Sequence, residues 1–177
     1  MPVGAGEVLV GDIIYLRLRD GKFCYSAVLQ DKFTRRIVGW KVSTRMTAQL
    51  VIEVFLQARK RGLIGKDAII HTDQGIQYAS VQYRRLLYIG GFRQSMSRRG
   101  NCYDNAQAES FFSRLKAELV ENGIFESVED ARSEVFSYIE GYYNRIRLHS
   151  GLGYQSPLEF EKQLEIKNIR SRESFVS

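Results

Sequence analysis

Apolar residues along the first ninety positions fall in blocks whose spacing changes from segment to segment. Val8 to Leu16 is almost continuously apolar and rich in β-branched residues, with Asp12 in its middle, and predicts a strand buried on both faces. Asp20-Gly21 is a hairpin signal leading into a second strand from Phe23 to Leu29, and after the polar stretch Asp31 to Arg35 a third is predicted from Arg36 to Val42. The chain is thus expected to open with an antiparallel meander. Between Thr47 and Arg61 the apolar Leu50, Val51, Val54, Phe55 and Ala58 recur at helical spacing, and Gly62 supplies the stop. Ala68 to His71 predicts a short fourth strand ending at Thr72-Asp73-Gln74-Gly75, Ser80 to Ile89 a second helix closed by Gly90-Gly91, and Phe92 to Ser95 a fifth strand. Ser95 to Asn101 lacks periodicity and is read as a loop. Asp104 and Gln107 then form a capping box for a helix reaching about Val120, with Ala108, Phe111, Phe112, Leu115 and Leu119 as its apolar stripe. A last helix is predicted from about Val128 to Tyr143, followed by an Arg-rich turn and Pro157, and the polar residues beyond about Leu164 are expected to fray.

A hairpin feeding a mixed five-stranded sheet flanked by helices is an α/β arrangement of the ribonuclease-H-like kind, with the strand order carried over by analogy. The 177 residues, 44% hydrophobic and 26% charged, suit one catalytic-sized domain over 1–160 with a polar tail over 161–177. No apolar run approaches a membrane span, and Met1-Pro2-Val3-Gly4 lacks the basic-then-apolar order of a signal peptide, so a cytoplasmic location is expected. Cys24 and Cys102 stand apart and only His71 and His149 accompany them, too few ligands for a closed zinc site; both thiols are read as reduced. The net charge of +6 is uneven. Residues 1–100 hold 17 Lys/Arg against 7 Asp/Glu and residues 101–177 hold 9 against 13, so the first part is the side expected to meet a polyanion.

Three carboxylates occupy odd positions. Asp12 interrupts an apolar strand, where an unpaired charge costs several kcal/mol or is forced to neutralise. Asp73 follows a strand end, the usual location of sites in open α/β sheets, and Glu109 lies outside the apolar stripe of its helix. If the fold gathers them, each pair at about 4 Å repels by roughly 4 kcal/mol at an effective dielectric near 20, and divalent cations relieve that cost. Oxygen-only donors suit Mg²⁺ or Mn²⁺ and two-metal phosphoryl transfer.

Thirty-five residues separate Asp73 from Glu109. The segments Gly11-Asp12-Ile13-Ile14-Tyr15, His71-Thr72-Asp73-Gln74-Gly75-Ile76-Gln77-Tyr78, Ser95 to Ala106 and Glu109-Ser110-Phe111-Phe112-Ser113-Arg114-Leu115-Lys116 closely resemble the DDE transposases of bacterial insertion sequences, whose catalytic core is of the retroviral-integrase type. Tyr143 to Ser150 and Leu152 to Pro157 resemble that family's C-terminal signature. The resemblance implies that Asp12, Asp73 and Glu109 are the catalytic triad, holding two Mg²⁺ (or Mn²⁺) ions for 3′-end cleavage and strand transfer. It also implies DNA as partner, a homo-oligomer when assembled on DNA, and a bacterial, nucleoid-associated setting. Lys116 takes the place of the family's basic residue seven positions past the Glu, on the same helix face and right for a DNA phosphate. The family's usual Thr and Ser are replaced by Ile14 and Ile76, and the chain begins almost at the first catalytic strand, as an excised core or a truncated product would.

Arg98 and Arg99, in the loop before the catalytic helix, are read as phosphate contacts. Tyr142, Arg145, Arg147 and His149 either contact DNA or complement a helix C-terminus. His71, Trp40, Phe111 and Phe112 are assigned structural roles. Two rival readings stand beside the transposase: a ribonuclease-H-like nuclease, with Glu53 as candidate fourth acid although it points away from its helix's apolar stripe, and a catalytically incompetent DNA-binding fragment.

Overall fold

Strand β1, Val8–Arg17, lies at the centre of a five-stranded sheet in a computed structural model that describes residues 2–96, 113, 117–118 and 123–173. It pairs antiparallel with β2, Phe23–Asp31, which pairs antiparallel with β3, Ile37–Ser43. On its other side β1 pairs in parallel with β4, Ile69–Thr72, and β4 with β5, Arg93–Met96, giving the order β3-β2-β1-β4-β5. The meander and the mixed sheet match expectation to within a residue or two at most strand ends. The parallel step requires a crossover, and α1, Ala48–Lys60, supplies it. Thr47 precedes that helix, and Gly62 ends it with φ of +70°, a conformation open to glycine. Helix α2, Val81–Ile89, makes the second crossover, its first turn capped by the Ser80 hydroxyl, which accepts from the Tyr83 amide.

Alternation along β1 divides the interior in two. Leu9 and Ile13 face the cluster formed with Leu50, Val51, Val54 and Phe55 of α1 and with Tyr78, Tyr83 and Leu87. Val10, Ile14 and Leu16 face the other, completed by Phe125, Ala131, Val135, Ile139 and Tyr143 from the C-terminal third. Ala131 and Val135 come from α3, Val128–Phe136, Ile139 and Tyr143 from the turns after it, and Phe125 from the chain just before it. The single helix expected to Tyr143 changes hydrogen-bonding pattern at Ser137 and runs on as a π-helix, Ser137–Tyr143. The wider turn seats Ile139 and Tyr143 in the core, while Glu140 accepts from Trp40 Nε1 (3.0 Å) and Arg61 Nη2 (3.1 Å).

The end of the chain differs from expectation. Residues past Leu164 continue a helix, α4, Pro157–Glu173, so the expected boundary at 160 falls inside it. Pro157 occupies its first turn, the Ser156 hydroxyl and amide both reach Glu159, and Arg36 bonds Glu161 at 2.6 Å. With few apolar residues to mark a stripe, this helix carries little periodic signal, and its start is set by local capping. The predicted 104–120 helix lies outside the described residues, apart from helical Ser113, Ala117 and Glu118.

Candidate active site

The β1–β4 register pairs Val8 with Ile69 and ends at Gly11 with Thr72. Asp12 and Asp73 each follow that last pair, Asp12 within β1 and Asp73 one residue past the end of β4, at adjacent parallel strands about 4.8 Å apart. Asp12 is half-buried and Asp73 exposed, because β4 stops just before it while β1 continues. Asp12 is therefore a half-buried position within a strand whose neighbours Val10, Gly11, Ile13 and Ile14 are buried on both faces, as the apolar run predicts. Each carboxylate is oriented locally: Asp12 Oδ1 accepts from the Ile13 amide at 2.8 Å, and Asp73 Oδ1 from the Gly75 amide at 2.9 Å, closing an Asx turn.

Tyr78 packs beside this pair, on the Leu9 and Ile13 side of β1. A Cβ at Gly11 would stand 3.2 Å from both the Tyr78 hydroxyl and Thr72 Cγ2, so glycine is what lets the ring approach β1. Burial pushes the Tyr78 phenol well up, with further contributions from Tyr83, Asp12 and Asp73. Both carboxylates thus lie within electrostatic reach of one neutral hydroxyl. Tyr78 is a site neighbour that the sequence does not reveal, because an aromatic position after a turn carries no sign of what it packs against.

The flanks of the segment carrying Glu109 leave and return at this same end of the sheet. Met96, the last residue of β5, is registered with Thr72, and the chain returns with Phe125, whose backbone bonds Arg17 and Arg19 beyond the point where β4 ends. Glu109 itself, with Lys116, Arg98, Arg99 and Cys102, lies outside the described residues. Among the described residues no group of three or more His, Cys, Asp or Glu could hold a metal ion. Asp12 and Asp73 nevertheless form a hard, oxygen-only pair of the kind that suits Mg²⁺ or Mn²⁺.

The other candidates separate. His71 Nδ1 lies 3.0 Å from the Ser95 hydroxyl, in keeping with a structural role. Glu53 bonds Lys41 and accepts from Gln49 Nε2 at 3.0 Å, and Lys41 holds its carboxyl below the usual range; it stands on the exposed flank of α1 as a surface ion-pair partner. Arg145 is exposed, its Nε donating to the Glu140 carbonyl at 2.9 Å. Arg147 is turned inward onto Glu118, a residue absent from the sequence-based candidates, since an acidic side chain on a helix gives no signal of its partner. Cys24 is buried, and burial pushes its thiol up. No helix of the described residues is long and apolar enough to cross a membrane.

Comparison with known proteins agrees with this geometry. Two family models, each described as an integrase core domain, match residues 2–102 and 90–157. The transposase for insertion sequence element IS904 of Lactococcus lactis subsp. lactis (strain IL1403) is 48% identical over 156 residues, covering 88% of this chain and 61% of that protein. Transposase InsF for insertion sequence IS3A of Escherichia coli (strain K12) is 44% identical over 160 residues, covering 90% and 55%. The chain therefore spans between 55% and 61% of the length of these curated relatives. Among solved structures, the HTLV-2 integrase catalytic core domain in complex with magnesium superposes with TM-score 0.65 at 12% identity, covering 90% of this chain and 99% of that one. The catalytic core domain of BIV integrase gives 0.63 at 19% identity, covering 93% and 99%. The fold is accordingly the ribonuclease-H-like fold of integrase catalytic cores, and the chain belongs to the integrase core domain family.

Proposed function

We propose that this chain is the catalytic core of a DNA transposase, cutting 3′ ends of DNA and joining them to a target by direct transesterification. One observation carries the reading: Asp12 and Asp73 project from neighbouring parallel strands at the end of the sheet where the flanks of the Glu109 segment leave and return. Glu109 is proposed as the third carboxylate. Asp12, Asp73 and Glu109 would hold two Mg²⁺ or Mn²⁺ ions, which would offset the carboxylate repulsion and supply charge stabilisation for the attacking and leaving oxygens. The protein's own part is orientation. The Asx turn at Gly75 and the Ile13 amide fix one oxygen of each Asp, and the Tyr78 hydroxyl packs close to Gly11 next to them. Transposon ends and target DNA are the proposed substrates, approached through the basic first half of the chain and through Arg98, Arg99, Lys116 and exposed Arg145. Assembly of more than one copy on DNA is part of the proposal, because joining two ends to a target needs more than one site. The test is nicking of supercoiled plasmid in Mn²⁺ and in EDTA by the wild type and by Asp73→Asn. Metal-dependent nicking by the wild type that the variant lacks is expected; equal nicking by both proteins overturns the assignment.

A further inference from the structure

Arg147 belongs to the C-terminal signature, and its exposed neighbours invite the reading of a DNA contact. Its surroundings are otherwise. The Nε donates to both Glu118 carboxylate oxygens, at 3.1 and 2.9 Å, while Nη2 donates to Oε1 at 2.6 Å, a fork grip on one carboxylate. The Tyr138 hydroxyl donates to Oε2 of the same group. The guanidinium lies over the Tyr143 ring, 5.6 Å from its centroid, and Nη1 stands 3.3 Å from His149 Nδ1. Only 16% of the Arg147 side chain and 31% of that of Glu118 is exposed. A guanidinium held this way offers little to a phosphate.

The clamp is rooted in the sheet. Tyr143 is buried, and its hydroxyl accepts from Gln30 Nε2 of β2 at 3.0 Å. Asn144 beside it accepts from the Ile37 amide at 2.9 Å and donates to the Ile37 carbonyl at 3.1 Å, acting as one rung of a strand for β3. On the other side, Glu118 is helical, within the segment predicted to form one helix from Asp104. Glu118 lies nine positions after Glu109 in the sequence. At 100° per residue that spacing puts them on opposite sides of a helix, about 13 Å apart along its axis. A grip on Glu118 then sets the rotation of such a helix, and a roll of about 20° at a radius of about 5 Å moves a side chain by nearly 2 Å. Displacements of that size cost on the order of a hundredfold in rate when the group must meet a reacting centre.

We infer that the Glu118–Arg147 pair is a positioning clamp: Arg147, rooted through Tyr143 and Asn144 in the central sheet, fixes helical Glu118, in the segment that the sequence predicts as one helix with Glu109, rather than contacting DNA. This rests on the reading of Glu109 as the third carboxylate. Two readouts separate the clamp from that reading: amide hydrogen exchange, which needs no activity, and the Mn²⁺ concentration for half-maximal nicking. In Glu118→Gln and Arg147→Gln, exchange in peptides spanning 109–118 is expected to rise about tenfold or more, with peptides of β1 and β4 unchanged. The half-saturating Mn²⁺ should rise several-fold, and the double variant should be no worse than the more affected single one. Unchanged exchange in both single variants overturns the clamp. So does an increase shared equally by β1 and β4, or a double variant whose effects multiply. Should Arg147→Gln fail to fold, Arg147→Lys, which keeps the charge without the fork, is read the same way: faster exchange confined to 109–118 supports the clamp and wild-type exchange overturns it. Absence of nicking by the wild type would overturn the active-site reading instead, leaving exchange to decide the clamp.

Discussion

Replacing Asp73 by Asn should make the metal-free protein more stable and the metal-loaded protein less so. The adjacent-strand spacing of about 4.8 Å puts the two carboxylates roughly 5 to 6 Å apart. At that distance the Coulomb repulsion is about 1 kcal/mol for an effective dielectric near 60, a high value suited to the exposure of Asp73. Asn keeps the Asx turn, since its Oδ1 can still accept from the Gly75 amide, so little else is lost. For a domain of this size about 1 kcal/mol corresponds to a rise of roughly 2 to 4 °C in Tm. Divalent cation reverses the order. With Mn²⁺ about a hundredfold above its Kd, linkage adds about 2.7 kcal/mol to a protein that holds the ion and almost nothing to one that has lost a ligand. The assay is thermal unfolding of both proteins in EDTA and in Mn²⁺. Crossing melting orders are expected; a variant that melts below wild type in EDTA would show that the two carboxylates do not repel, and one that gains as much from Mn²⁺ would show that Asp73 is not a ligand.

Other expectations follow from the packing and the charge pairs. Phe55→Ala removes a fully buried ring that meets Phe92 edge-on at 5.2 Å, and should cost about 3 to 5 kcal/mol in urea unfolding; a loss under about 1 kcal/mol would mean the cavity refills. Asn144→Ala leaves the Ile37 amide and carbonyl without their side-chain partners and should cost about 2 to 4 kcal/mol, with fast exchange at the Ile37 amide as its local signature. Arg147 holds the Glu118 carboxyl below the ordinary glutamate range, so folding favours its charged form. That contribution is complete above the unfolded value of about 4.3 and fades as pH falls through the lower folded value, so Glu118→Gln should flatten this part of the acid-unfolding curve; superimposable slopes would count against the pair.

Period and punctuation were strong guides over the first ninety residues. Val8 to Leu16 reads as a strand because its apolar run is buried on both faces, and the Leu50, Val54 and Phe55 stripe gives the first helix because it buries one continuous face. Asp12 stands out because a carboxylate in an apolar strand is costly without a purpose, and Asp73 because it follows a strand end, where open α/β sheets place their sites. The remainder depends on partners distant in sequence. Nothing local distinguishes Arg147 facing a phosphate from Arg147 facing Glu118, twenty-nine positions earlier. The switch to a π-helix at Ser137 is equally silent in an apolar pattern, since it follows from seating Tyr143 and Ile139 together. Helix Pro157–Glu173 escaped because capping and a bond from Arg36 to Glu161, rather than a stripe, hold it.

Asn144 ties the order of synthesis to the order of folding. Its amide group completes the start of β3 from 107 positions downstream, so the edge of the meander leaves a backbone donor and acceptor without that partner until nearly the whole chain has been made. Contacts of such long range are slow to form, and an unfinished strand edge is a place where one nascent chain can pair with another. A chain released before Asn144 would expose that edge at Ile37, whereas one released after Ser156 would contain both the Asn144 partner and the clamp residues. Ribosome-released fragments ending on either side of Asn144 should therefore differ sharply in aggregation, although both contain Asp12, Asp73 and Glu109.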